Sequence, residues 1–330
     1  MLKSNIHIHT CMKVTILQLA NGLEKIFSLK LRERGFTTEI VDYTRPLFEQ
    51  IIDSDVLING LGNVDASLIN ACTKLKMIHQ IGIGVDNIDF DYCASKLIYV
   101  ANIPKNNAVS VAEFTLFLMI YLAKNIGSTS SSLMKRRVLS IIGSELQGKT
   151  LLIVGLGYTG SEVAKRAKAF GMRVLAMTRN PTKPEIDKRY LDELIGPHDF
   201  LKKLPEADYI SIHIPLTNET RNMIDTREFN LMKKTTYLVN VARAAVVDKE
   251  ALFDALTNGK IAGAAFDVFW QEPADPDDKM LNLDGFFLTQ HIAGWSAESI
   301  DGATEIIATN IERVAQGKKP LTAINPEYSI

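Results

Sequence analysis

The sequence predicts an α/β protein with two doubly wound parallel sheets. Three observations point there. Short apolar, strand-like runs alternate with helical stretches along nearly the whole chain, the pattern of βαβ units whose helices cover both faces of a parallel sheet. The alternation falls into two series, parted by the polar stretch "GSTSSSLMKRR" at 127–137. A length of 330 residues is also long for one hydrophobic core, so two domains are expected.

In the first series the strands are "KVTILQL" (13–19), "TEIVD" (38–42), "DVLING" (55–60), "KMIHQIG" (76–82) and "LIYVAN" (97–102). A long helix over about 106–126 closes it. The second series runs through "KTLLIVGLG" (149–157), "MRVLAMT" (172–178), "DYISIHI" (208–214), "TTYLVNV" (235–241), "IAGAAFDV" (261–268) and "FFLTQ" (286–290). A last helix is predicted over about 296–315. Open α/β sheets bind ligands at the carboxyl ends of their strands, so chemistry is expected in a cleft between two such domains.

Composition excludes several classes of function. Hydrophobic residues make up 46%, charged residues 23%, and the formal net charge is −1, which leaves no electrostatic footprint for nucleic acid. The basic cluster Lys135-Arg136-Arg137 reads as a solvated helix face. The longest apolar run, "EFTLFLMIYLA" at 113–123, falls short of the ~20 residues of a membrane span and suits a buried helix. Residues 1–11 lack the apolar core of a signal peptide, and a cytoplasmic protein is expected. Cys11, Cys72 and Cys93 have no pairing or metal spacing and read as reduced thiols. His7 and His9 lack a third ligand, so no metal is expected.

"LLIVGLGYTGSEVAKRAKAFG" (151–171) carries the sharpest local signal. Gly155, Gly157 and Gly160 follow an apolar strand and open a helix. Gly155 permits a tight turn, Gly157 lets a pyrophosphate approach the backbone, and Gly160 lets helix and strand pack closely. The helix N-terminus offers N–H groups to the phosphates. A dinucleotide is therefore the expected cofactor. NAD enzymes usually place an acid about 20 residues on, against the ribose hydroxyls; here Thr178, Arg179 and Asn180 stand there. Arg179 either binds a 2'-phosphate or is a surface residue. NAD(P) is expected, with NADP(H) slightly favoured.

One residue resists a packing explanation. "VNVARAAVVDKEAL" (239–252) opens as a buried strand, yet Arg243 follows it, and burying an unpaired guanidinium costs several kcal/mol.

The ordered motifs "IGIGVDNID" (81–89), "NNAVSVAEFTL" (106–116), "ELQGKTLLIVGLGYTG" (145–160), "IHIPLTNET" (212–220), "VNVARAAVVDKEAL", "AFDVFWQEP" (265–273) and "LTQHIAGWS" (288–296) resemble those of the D-isomer-specific 2-hydroxyacid dehydrogenases. The likeness runs from about residue 55 to 315. It implies a Rossmann cofactor domain (106–296) inserted into a flavodoxin-like substrate domain made of residues 1–105 and 297–330. It also implies a homodimer formed through the cofactor domain.

By this resemblance Arg243 binds the substrate's carboxylate and carbonyl oxygen, for which a planar, permanently charged fork is suited; Ala244 departs from the family's usual glycine. His291 falls on the acid/base histidine and Glu272 on the carboxylate that holds its ring and favours imidazolium. The loop backbone at Ile83 and Gly84 falls where the family holds the substrate carboxylate. Tyr158 and Thr159 match positions against the pyrophosphate, and His213, Ile214 and Pro215 match positions near the cofactor. Val241, Ala242, Asp267 and Gly294 match the nicotinamide end. His79 reads as structural. Trp295 either narrows the pocket or packs at the domain junction.

Reduction of a small 2-oxo acid is the implied activity. The loop "NGLGNVD" (59–65) has no basic residue for a substrate phosphate, which favours glyoxylate or hydroxypyruvate over 3-phosphoglycerate. The competing readings are 3-phosphoglycerate oxidation and, from another class, a dinucleotide-sensing corepressor-like binding protein.

Overall fold

Runs such as "VLIN" and "TLLIV" are mostly apolar and are buried at every position, as strands covered on both faces must be. They form two all-parallel sheets in the computed structural model, which describes residues 12–19, 22–127, 142–184 and 186–325. His7, His9, Cys11 and the Lys135-Arg136-Arg137 cluster lie outside the described residues. The chain divides into two compact units, Met1–Asn107 with Ser296–Ile330, and Ala108–Trp295.

The first unit has strands β1 (Val14–Ile16), β2 (Thr38–Ile40), β3 (Val56–Asn59), β4 (Met77–Gln80) and β5 (Tyr99–Ala101) in the order β2-β1-β3-β4-β5. The order reverses between β1 and β3, the topological switch point of such sheets. Leu57, Ile78 and Val100 are fully buried beneath the helices Ala66–Ala71 and Phe90–Ser95, in a cluster that also takes Cys72 and Cys93. Both thiols are free, and burial pushes them up to about 11 and about 12.

The sheet is completed from the far end of the chain. The helix Ala297–Ala315 buries Ile307 and Ile311 and is ion-paired to the region of helix Leu23–Glu33 through Lys30–Asp301 (2.6 Å) and Arg34–Glu305. Ala323 pairs antiparallel with Ala101, and the buried Asn325 side chain accepts from Val100 N and donates to Ile98 O at 3.0 and 2.7 Å.

The second unit has β6 (Thr150–Val154), β7 (Arg173–Met177), β8 (Glu193–Ile195), β9 (Tyr209–Ile212), β10 (Tyr237–Asn240), β11 (Gly263–Phe266) and β12 (Phe286–Leu288). Their order is β12-β11-β10-β9-β6-β7-β8, with the switch point between β6 and β9. Strand β8 was not expected from sequence. The helices Ala108–Ala123 and Tyr158–Ala169 cover one face through Leu116, Met119, Val163 and Ala167. The opposite face packs under the helices Thr226–Leu231 and Lys249–Thr257 around Phe229, Leu252 and Phe266. The apolar run 113–123 lies within the helix Ala108–Ala123, which ends before Asn125 in the left-handed region (φ 51°). Among the described residues no helix is long and apolar enough to cross a membrane, and no group of three or more His, Cys, Asp or Glu could hold a metal ion.

His79 on β4 is fully buried. Its Nε2 accepts from Asn310 Nδ2 at 3.0 Å, and Nδ1 has no partner among the described residues. Burial pushes the imidazole down from 6.5 to about 4. The unfolded chain takes up this proton below about pH 6.5, the folded chain only near pH 4. The stability contributed is therefore complete above pH 6.5 and is lost as the pH falls toward 4. Between pH 7 and pH 5 the loss is about 2 kcal/mol. His79→Gln keeps an acceptor for Asn310 and cannot titrate. Urea unfolding at the two pH values should show a fall in stability smaller by roughly that amount in the variant. An unchanged fall would mean that His79 is not what acid acts on.

Candidate active site

At the carboxyl end of β6 the chain turns at Gly155 (φ 105°), whose amide donates to Met177 O at 3.0 Å. A side chain here would collide with Ile214 and the His213 carbonyl, at 2.7 and 2.8 Å from its Cβ. Gly157 caps the helix Tyr158–Ala169 without a side-chain hydrogen bond, and a Cβ on it would meet nothing within 4 Å. Gly160 is the tightest position: its Cβ would stand 2.1 Å from Gly155 O. Turn, open face and close contact thus fall to three successive glycines. Tyr158 is exposed and Thr159 half-buried.

Thr178 closes β7, its amide donating to Ile195 O at 3.1 Å. Arg179 and Asn180 are exposed. Arg179 makes no hydrogen bond or ion pair with a described residue, but its charge reaches Glu219 in the loop after β9. The Thr217 hydroxyl, and more weakly Arg179, hold that carboxyl below its ordinary range. His213 in the same loop is hydrogen-bonded through Nε2 to Ser211 Oγ (2.7 Å), and burial pushes its imidazole down to about 3. Ile214 is half-buried and Pro215 exposed, the Pro215 carbonyl accepting from Thr220 Oγ1 at 2.7 Å.

The loop after β10 is shaped by Asn240, a fully buried carboxamide. It accepts from Ala242 N and donates to Arg243 O, each at 3.0 Å. Val241, Ala242 and Arg243 are half-buried in this frame. Arg243 is extended (φ −141°, ψ 133°), and its Nη1 donates to Ala242 O at 2.9 Å.

His291 stands after β12 with φ 55°, a left-handed conformation that a non-glycine residue adopts only where its surroundings impose it. Asp267 imposes it. This buried carboxylate accepts from Thr289 Oγ1 (2.5 Å), Ile292 N (2.9 Å) and Ala293 N (2.8 Å), gripping the loop on both sides of the histidine. Burial pushes the Asp267 carboxyl up, against those hydrogen bonds. Trp295 donates from Nε1 to His291 O at 3.1 Å. Gly294 is half-buried in the same loop. Asp267, expected at the nicotinamide end, thus directs its oxygens to the loop that carries His291.

His291 Nδ1 donates to Glu272 Oε2 at 2.7 Å, and the other oxygen of Glu272 accepts from Phe269 N at 2.9 Å. Burial alone would raise the Glu272 carboxyl. The His291 hydrogen bond and charge, the Phe269 amide and the Arg243 charge outweigh it and hold the group below its ordinary value. The acid is thus ionised wherever an imidazole titrates. His291 Nε2 has no partner among the described residues.

The first unit holds the remaining candidates. Gly82 turns with φ 116°, its carbonyl accepts from Ile103 N (2.9 Å), and Ile83 O accepts from Asn102 Nδ2 (2.8 Å). The amides of Ile83 and Gly84 donate to no described acceptor. Behind this loop, Asn59 Nδ2 donates to Gln80 Oε1 (2.9 Å), while Asn87 Nδ2 donates to Gly60 O and Gly62 O at 3.1 and 2.8 Å. Sequence reasoning missed Asn59, Gln80, Asn87, Asn102 and Asn240. The available signal, for all but Asn87, was a carboxamide at or just after the end of an apolar strand.

A glycine turn at the switch point and an imidazole–carboxylate pair on the same sheet define a dinucleotide-binding α/β protein with acid–base machinery. The profile described as D-isomer specific 2-hydroxyacid dehydrogenase, NAD binding domain, matches residues 116–293. The chain is 40% identical over 285 residues to D-3-phosphoglycerate dehydrogenase of Methanocaldococcus jannaschii, covering 84% of this chain and 53% of that protein. It is 35% identical over 319 residues to glyoxylate reductase of Korarchaeum cryptofilum, covering 93% of each. The crystal structure of D-lactate dehydrogenase from Aquifex aeolicus complexed with NAD and lactic acid superposes with a TM-score of 0.82, at 28% identity, over 95% of this chain and 100% of that one. This chain belongs to the D-isomer specific 2-hydroxyacid dehydrogenase family. It spans about half the length of the phosphoglycerate dehydrogenase and nearly all of the glyoxylate reductase.

The glycine geometry separates two substitutions. Gly160→Ala forces a methyl group into the Gly155 carbonyl and should cost at least about 1–3 kcal/mol, read as a lower Tm. Gly157→Ala meets open space and should leave Tm unchanged. Equal Tm for both variants would mean that the turn at Gly155 gives way freely.

Proposed function

We propose that this chain is a nicotinamide-dependent reductase of small 2-oxo acids, with glyoxylate or hydroxypyruvate as substrate. The observation that carries the reading is the Glu272–His291 hydrogen bond, with Nε2 left over as a proton donor. When bound, the nicotinamide supplies or accepts the hydride at C2. His291 then delivers a proton to the substrate oxygen, and Glu272 stabilises the imidazolium that must be present beforehand. Arg243 is assigned the substrate's carboxylate and carbonyl oxygen, and the amides of Ile83 and Gly84 its carboxylate.

Gly155, Gly157, Tyr158, Thr159 and Gly160 are assigned the pyrophosphate, and Thr178 with Arg179 the adenine ribose. His213, Ile214, Pro215, Val241, Ala242, Asp267 and Gly294 are assigned places along the cofactor. The unit Ala108–Trp295 is accordingly the cofactor domain and the discontinuous unit the substrate domain. We further propose a cytoplasmic homodimer formed through the cofactor domain. The 40% identity to a phosphoglycerate dehydrogenase favours a second reading, 3-phosphoglycerate oxidation. Against it, the loop at 59–65 has no cation.

Steady-state assays with glyoxylate, hydroxypyruvate and, in the reverse direction, D-3-phosphoglycerate distinguish the two. In the same assays His291→Ala should lose roughly 10²–10⁴-fold in kcat while still binding the cofactor. Turnover like that of the wild type would remove His291 from the proton transfer.

The second test concerns the cofactor. No carboxylate ends β7 to bond the ribose hydroxyls or repel a 2'-phosphate, and Arg179 is uncommitted except for the nearby Glu219 charge. NADPH should therefore serve at least as well as NADH. A charge-assisted bond of about 1.5–3 kcal/mol corresponds to about 10- to 150-fold in affinity, and Arg179→Ala should cost NADPH selectively by up to that factor. A preference for NADH that ignores the substitution would place Arg179 in solvent.

A further inference from the structure

Glu272 lies on the loop between β11 and β12, and a cation on a neighbouring helix grips that loop. Lys249 is the first residue of the helix Lys249–Thr257. Its Nζ lies over the rings of Phe269 (5.3 Å to the centroid) and Trp270 (5.9 Å) and is ion-paired with Asp278 farther along the same loop. Lys249 and Asp278 are both largely shielded from solvent, at 29% and 12% side-chain exposure, so the pair is screened less than a surface pair. Asp278 also accepts from Met280 N at 3.0 Å, and Met280 is fully buried. Trp270 Nε1 donates to Val247 O at 2.9 Å, two residues before Lys249. The loop is thus fastened to the start of this helix at Phe269, Trp270 and Asp278, and the Phe269 amide is itself a donor to Glu272.

We propose that Lys249 is a positioning residue for the Glu272–His291 pair. It holds Phe269 where its amide fixes the Glu272 carboxylate, and Glu272 in turn fixes the imidazole. The inference rests on the reading of His291 as the proton donor given above. Lys249 touches the loop and not the carboxylate. The charges that act on Glu272 are those of His291 and Arg243, and Asp267 lies beneath the histidine loop and feels the same imidazole. Loosening the loop should therefore weaken the pair through geometry.

Lys279 provides the control. It follows Asp278 on the loop, pairs with Glu250 at 2.6 Å and lies 4.1 Å from the ring centroid of Phe253, both on the helix Lys249–Thr257, and it does not lie over Phe269 or Trp270. The test is the NMR titration of the His291 imidazole, assigned by its loss in His291→Ala and followed in the full chain without turnover. Glu272→Gln should lower the titration midpoint. Lys249→Met should lower it by at least half of that shift, while Lys249→Arg and Lys279→Met stay with the wild type. Asp278→Asn, which keeps an acceptor for Met280, should move the midpoint in the same direction as Lys249→Met and covers the case in which Lys249→Met does not fold. In turnover, Lys249→Met should lose about three- to tenfold in kcat with the cofactor KM unchanged.

A Lys249→Met titration that coincides with the wild type would overturn the proposal. So would a Glu272→Gln variant that does not move, since there would then be no pair to position. A shifted titration in a protein that reduces no 2-oxo acid would uphold the positioning and overturn the proposed reaction.

Discussion

The buried carboxylate of Asp267 is the interaction on which the candidate acid–base site depends. It sits at the end of β11, on the rigid sheet, and its three acceptor contacts reach Thr289, Ile292 and Ala293. A buried carboxylate is costly unless hydrogen-bonded, so once Asp267 is placed, the loop must close over it. Closing leaves His291 in the left-handed backbone conformation, with Nδ1 facing Glu272 and Trp295 tied to its carbonyl. The ring direction is thus a consequence of a carboxylate that does not itself touch the ring.

The two sheets use the same device elsewhere. A carboxamide at the last buried position of a strand satisfies backbone groups of the loop that follows. Asn240 does this for the loop bearing Arg243. Asn59 and Gln80 do it for the loop after β3, donating to Gly62 O and Gly60 O, and Asn87, from the loop after β4, donates to the same two carbonyls. The amide groups of Asn240, Asn59 and Gln80 are each spent on such a bond, although the buried Asn59 Oδ1 takes no partner among the described residues. Such loops therefore have few alternative shapes, which is what a binding site needs from irregular backbone.

Legibility in the sequence followed locality. The apolar strands and the helices between them could be read, because period and punctuation lie within ten or so neighbouring residues. The glycine turn could be read for the same reason, and Gly160 shows why its spacing is rigid. Strand β8 could not: "ELI" sits among charged and polar residues in "RYLDELIGPHD", so no apolar run marks it. Glu272 and His291, 19 residues apart, were legible through family resemblance alone. A carboxylate in a turn and a histidine after a strand carry no periodic signal. Asn59, Gln80, Asn87 and Asn240 were missed because their partners are backbone atoms in loops, and residue type does not predict which backbone atoms those will be.

The division of the first unit between the two ends of the chain has a consequence for biosynthesis. Residues 108–295 are contiguous and include every strand of the seven-stranded sheet, so this unit can fold as soon as it leaves the ribosome. The five-stranded sheet is translated earlier but waits longer. His79 lacks Asn310, Val100 lacks Asn325, and the flank beside helix Leu23–Glu33 lacks its covering helix until the final stretch of chain has been made. During that interval the flank beside helix Leu23–Glu33 stays uncovered, and it is the part of the nascent chain that a chaperone would be expected to hold.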